Sequence, residues 1–159
     1  MPVNKKLKEL FDRAKISYEV HNRPLASTTQ KIARHGADER MAKVVMLAVD
    51  GDLAMSVVVG NQRVHLPTVC ASLGAREALL VDEEAFASRF SDCEIGALPP
   101  FGNLFGLPVY LDLAVAEHDE LYFSAGNHAQ TVRIHYRDYE RLVRPRVVRL
   151  TEEKKDIVL

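Results

Sequence analysis

The chain has no tryptophan, only two cysteines among 159 residues, and no large excess of either charge. Each shortage removes a class of protein. Cys70 and Cys93 lie far apart and form no CxxC pair, so neither a disulfide framework nor a zinc knuckle is indicated, and both thiols read as packing residues. A formal net charge of -1 gives no global nucleic-acid signature, so contact with a polyanion has to be local, and nothing points to DNA. Long hydrophobic runs are missing as well: Val44 to Val49 is strand-length, and Met1-Pro2-Val3-Asn4-Lys5-Lys6 leads into a polar helix rather than a signal-peptide core. The expectation is a soluble cytoplasmic protein without a membrane partner.

The familiar catalytic signatures are absent too. There is no GxGxxG after a strand, no GxxxxGK[ST], no GxSxG elbow and no HExxH. The six histidines, at 21, 35, 65, 118, 128 and 135, show no pair at zinc-ligand spacing on one helix, so no metal and no other cofactor is expected.

What remains is a chain with 47% apolar and 27% charged residues, enough for one core and too short for two. Helical spacing of Val3, Leu7, Leu10, Phe11 and Ala14 predicts a helix over about 3–14, followed by a short strand over 16–20. Asn22-Arg23-Pro24 reads as a turn, and Ser27-Thr28-Thr29 as the cap of a helix ending near His35-Gly36. The clearest hairpin is 44–49 and 53–59 about Asp50-Gly51, a pair suited to a type I′ turn. Leu66-Pro67-Thr68 opens a helix that Gly74 stops, 79–81 is a strand, and Asp82-Glu83-Glu84 begins another helix. Strands at 109–113, 120–123 and 132–135 precede a helix over about 137–143. This order predicts a single α+β domain over 1–150, a mixed and largely antiparallel sheet of barrel-like form flanked by helices, with 151–159 as a polar tail.

The stretch Gly96 to Pro108 concentrates three glycines and three prolines in thirteen residues. Proline removes backbone freedom and a donor, while glycine permits positive φ or close approach, so the segment is either a stiff wall beside a ligand or a tight connection. Ser124-Ala125-Gly126-Asn127-His128 follows the apolar strand Leu121-Tyr122-Phe123, which places small and hydrogen-bonding residues at a strand end; it reads as a turn or as part of a site. Lys43 precedes a strongly apolar strand, with its ammonium either solvated or directed at an anion.

Taken together and in this order, Lys43, the Gly96-x-x-x-Pro100 loop with Phe101-Gly102, and Ser124-Ala125-Gly126 resemble the YbaK and prolyl-tRNA synthetase editing-domain family, as does the run of elements from the first helix to about Val143. The resemblance implies a freestanding aminoacyl-tRNA deacylase that hydrolyses the ester of a mischarged tRNA without metal or covalent intermediate. The tRNA implied is that for proline or another carrying a small amino acid, and prolyl-tRNA synthetase is an implied partner. It also implies catalytic roles for Lys43, Gly96 and Pro100, with Gly96 letting amide groups approach the substrate. Substrate contacts are implied for Phe101, Gly102, Ser124, Ala125, Gly126, Asn127 and His128, with Tyr18 lining the cleft. The charge of Lys43 favours a place near a terminal phosphate or the ester oxygen over a general-base role, which needs a pKa lowered by burial. Pro99 before Pro100 departs from the family pattern. Arg133, Arg141 and Arg144, in a C-terminal stretch that also holds Arg137, Arg146 and Arg149, form the local basic candidate for tRNA contact. The competing reading is a non-catalytic module of the same fold that binds tRNA or a synthetase.

Overall fold

The computed structural model describes residues 3–22, 41–90 and 92–152. The expected turn at Asn22-Arg23-Pro24 reaches beyond them, and the expected helix from Ser27 to Gly36 lies outside them. Helix α1 is Lys5–Ala14, capped by Asn4, whose side chain accepts from the Leu7 amide. It buries Leu7 and Phe11 at i and i+4, one stripe of an otherwise polar helix. Strand β1 (Glu19–Asn22) comes next, two to three residues later than the sequence predicts.

Strands β2 (Ala42–Val49) and β3 (Asp52–Val59) form the expected hairpin. Asp50 and Gly51 take φ of 49° and 86°, the left-handed pair that a type I′ turn requires. Helix α2 (Leu66–Leu73) ends at Gly74 in the left-handed region. Strand β4 (Ala78–Leu80) leads to the helix expected after Asp82, which is a 3-10 stretch over Glu83–Phe90 broken at Phe86. A second 3-10 turn, Gly102–Phe105, precedes β5 (Val109–Asp112) and the short α3 (Leu113–Ala116). Strands β6 (Glu120–Ser124) and β7 (Gln130–His135), helix α4 (Tyr136–Val143) and strand β8 (Arg146–Val148) complete the domain.

The strands form two sheets. One runs β1-β7-β6 and is antiparallel; the other runs β4-β2-β3-β5-β8, antiparallel on one side of β3 and parallel on the other. Among the described residues a single parallel bridge, Met41 to Tyr122, links the two sheets, and these strands do not close into a barrel. Residues Ala54 to Val59 are buried without a break because β3 is covered on both faces. Its Met55 and Val57 join the larger core with α1 and β6, while Val58 joins a smaller cluster with Leu47, Val69 and Leu150. Strand β8 does not show in the sequence because Arg146-Val147-Val148 is short and flanked by arginines; it pairs parallel to β5. Buried Asp112 ties the end of β5 to α3 and to the chain beyond β8, its carboxylate accepting from the amides of Ala114, Leu150 and Thr151.

Candidate active site

Glu94, Ile95, Gly96 and Ala97 make a β-turn closed by the Ala97 amide on the Glu94 carbonyl at 3.1 Å. Gly96 sits at φ 83° while Ile95 does not have positive φ, which is the type II pattern with glycine at its third position. Both ends of the central Ile95–Gly96 peptide are taken by side chains. The Gly96 amide donates to Glu83 Oε2 at 2.7 Å, and the Ile95 carbonyl lies 2.7 Å from His128 Nε2. A carbonyl only accepts, so that nitrogen carries the proton. The Gly96 amide is thus occupied by Glu83, so any close approach that this glycine permits does not use its own N–H. Ala97 spends its own amide on the turn, and Pro99 and Pro100 have none. Among the described residues the Leu98 amide has no acceptor.

This turn is welded to the one after β6. The Glu94 amide donates to the Gly126 carbonyl at 2.8 Å and the Gly126 amide to the Ala97 carbonyl at 3.0 Å. Gly126 has φ 95°, and a Cβ there would stand 2.9 Å from the Asn4 Cβ. Asn4 supports the same turn through its own amide on the Ala125 carbonyl, and its side chain reaches Asp92 and Cys93. Burial, with the Asp92 charge beside it, pushes the Cys93 thiol up to about 11, so it is a neutral packing group at physiological pH. His128 adds its amide to the Glu94 carboxylate at 3.2 Å.

Several expected substrate contacts prove to be interior. Phe101 is fully buried, its ring 5.6 Å from Phe11, 5.3 Å from Phe123 and 5.2 Å from Tyr139, so it anchors the loop to the core. Gly102 is a close-packing glycine, since a Cβ would meet Val109 Cγ2 at 2.7 Å. Ala125 is buried with both backbone groups used, the amide on Gln130 and the carbonyl on Asn4. Asn127 is buried and closes its own Asx turn on the Ala129 amide. Pro99 and Pro100 are buried, and the Pro100 carbonyl accepts from the Tyr139 hydroxyl at 2.6 Å, which fixes the loop at this point. Burial raises the Tyr139 hydroxyl well above its usual pKa and keeps it a donor. The wall that faces solvent is therefore Ile95, Gly96 and His128, with half-buried Ser124 at its margin.

Lys43 lies on β2 opposite Val58, half-buried, its ammonium donating to the Gln62 carbonyl at 2.8 Å. The Met41–Tyr122 bridge brings this end of β2 beside β6, with Lys43 and Ser124 each two residues past it. Tyr18 is placed elsewhere: it packs 4.9 Å from Phe11 and borders a cavity of about 100 Å³ with Glu19, Arg133 and His135, none of them a wall residue. Arg133 is held between Glu19 at 2.6 Å and Glu120 on the outer face of the three-stranded sheet. Arg141 and Arg144 are exposed at the far end of α4, where Arg141 lies 3.5 Å from Asp138. The structure therefore joins Gly96, Pro100, Gly126 and His128 in one unit and leaves the three arginines outside it.

Residues missed by the sequence reading are those that hold the loop: Asn4, Glu83, Glu94 and Tyr139. Glu83 and Asn4 carried only helix-terminus signals, and Tyr139 only the core periodicity of α4. No local pattern marks a side chain that grips a loop elsewhere in the fold.

Solved structures share this architecture. A scaffold protein used to graft linear epitopes by computational design has a TM-score of 0.79 at 22% identity, over 97% of this chain and 99% of that one. A candidate trans-editing enzyme for prolyl-tRNA synthetase gives 0.80 at 19% identity, over 96% and 99%. A candidate signal transduction protein from Marinobacter aquaeolei gives 0.74 at 13% identity, over 96% of this chain but only 31% of that one. At these identities the likeness concerns the fold. The sequence model of the aminoacyl-tRNA editing domain matches residues 23–142, a span that holds Lys43, the glycine-proline loop and the Ser124–His128 turn, and the chain belongs to that family.

Proposed function

We propose that this protein is a trans-editing deacylase that hydrolyses the ester between a tRNA and a small amino acid wrongly attached to it, with tRNA for proline as the first candidate. Water attacks the ester carbonyl, the bond to the terminal ribose oxygen breaks, and that oxygen leaves with a proton as the amino acid is released. The observation that carries this reading is the weld between the Glu94–Ala97 turn and Gly126, which makes a fixed backbone wall from two segments that both lie within the span matched by the editing-domain model. A preset wall suits an activated ester, for which placement of water and of the carbonyl does much of the work. Editing of this kind supplies selection where a synthetase pocket cannot reject a near-isostere, since one methylene is worth only about 1–3 kcal/mol. Lys43 serves the terminal phosphate or the ester oxygen, and Ser124 and His128 border the aminoacyl group. Neither a metal nor a covalent intermediate takes part in this scheme, and Arg141 and Arg144 meet the tRNA backbone.

The test is release of amino acid from a panel of alanyl, cysteinyl, seryl and threonyl esters on several tRNAs, with and without a chelator. Turnover of at least one ester, unchanged by the chelator and lost in a folded Lys43→Ala variant, is the expected result. A panel with no turnover above buffer sinks the enzymatic reading; salt-dependent tRNA binding without hydrolysis would then identify a binding module.

A further inference from the structure

We infer that Glu83 is a positioning residue which, with His128, locks the Ile95–Gly96 peptide in one of two orientations and so sets the face that the loop shows to a substrate; the link to substrate rests on the deacylase reading above. Type I and type II turns differ by rotation of their central peptide, as their dihedral values show. Glycine at the third position removes the side-chain penalty that would force one form, so Gly96 leaves this choice to outside contacts. The structure supplies two, one at each end of the same peptide: the Glu83 carboxylate on the Gly96 amide and the His128 imidazole on the Ile95 carbonyl, both at 2.7 Å. A hydrogen bond to an ionised acceptor is about twice as strong as a neutral one, which makes Glu83 the stronger hand. The clasp is directed at this spot, since the ring of His128 lies 3.3 Å from where a Gly96 Cβ would stand. The clasped peptide is also at the surface, with Ile95 half exposed. Rotation of the peptide would turn its carbonyl oxygen to the side now occupied by its N–H, reversing the local dipole beside the ester.

Glu83, Cys93 and Glu94 line one small cavity with Ile95, and His128 faces Glu94 from the other turn, so a test must separate their titrations. The Gly96 amide proton, followed by NMR from neutral pH down through the carboxylate range, should show an inflection within that range in the parent chain and equally in His128→Gln. It should lose that inflection in Glu83→Gln and keep it in Glu94→Gln. A Gly96 resonance that does not titrate, or that titrates equally in Glu83→Gln, overturns the clasp without any reference to activity. In deacylation, Glu83→Ala should lower kcat on the order of 10-fold with little change in KM, and Glu83→Gln, which keeps an acceptor, should recover most of it. Unfolding temperature checks that both variants fold. Equal rates for the parent and a folded Glu83→Ala overturn the positioning role. A parent chain without turnover on the panel overturns the deacylase reading instead, and the Gly96 titration then decides the clasp by itself.

Discussion

The turn at Asp50-Gly51 and the turn at Glu94 to Ala97 both place a glycine at positive φ, and they are held in opposite ways. The hairpin turn is dictated by its own two residues: a Cβ at Gly51 would meet nothing within 4 Å, and no described residue grips its central peptide. It supports its surroundings instead, the Asp50 carboxylate accepting from the amides of Arg76 and Glu77. The loop turn is gripped from positions 13 and 33 residues away, and its neighbour Gly126 is wedged against Asn4. One turn arises from local chemistry; the other is assembled by the fold.

The sharpest way to break this contrast is Gly126→Ala. Left-handed strain of about 1–2 kcal/mol adds to overpacking of about 1–3 kcal/mol, so the variant should lose several degrees of Tm and all deacylation. An unchanged melting curve would show that the weld is not tight. Tyr139→Phe comes next. It leaves the buried Pro100 carbonyl without its donor, and urea denaturation should record a loss of about 1–3 kcal/mol together with a looser loop. Gly51→Ala should cost only about 1 kcal/mol of strain with unaltered kinetics; a large kinetic effect there would erase the distinction between the two turns.

The smallest effect concerns a third kind of contact, the exposed clasp of Arg133 on Glu19 and Glu120. The Arg133 guanidinium, by hydrogen bond and charge, holds the Glu19 carboxyl below its usual range. A group whose folded pKa is depressed adds stability above its unfolded pKa and loses it as pH falls through the folded value. Arg133→Met should therefore lower stability slightly at neutral pH, and that small difference from the parent should vanish as pH falls through and below the usual carboxylate range. Thermal melts across that range supply the check. Charges this exposed are well screened, so a steep loss at neutral pH would assign Arg133 a larger part than its setting allows.

How far the sequence could be read obeys the same division. The β2–β3 hairpin, the Gly74 stop of α2 and the burial of Leu7 and Phe11 are written in adjacent residues, and the structure has them where periodicity and turn chemistry predict. The Glu83–Phe90 stretch is 3-10 rather than α, because its acidic start signals a helix without specifying its hydrogen-bond step. At the site, glycine and proline marked the loop, and Ser124 to Gly126 marked its partner. Which of those residues face outward was not legible: Phe101 and Asn127 carry groups suited to binding, yet one anchors the core and the other closes its own turn. Burial depends on what arrives from elsewhere in the chain.

Asp112 gives that dependence a concrete case. Its carboxylate waits for amides at Leu150 and Thr151, the former 38 positions downstream, and it lies almost wholly inside the domain. Until residues 146–151 pack beside β5, the Asp112 carboxyl lacks two of the amide donors that satisfy it in the folded domain. Strand β8 is thus less an appendage than the piece that completes the ring of donors around a buried carboxyl.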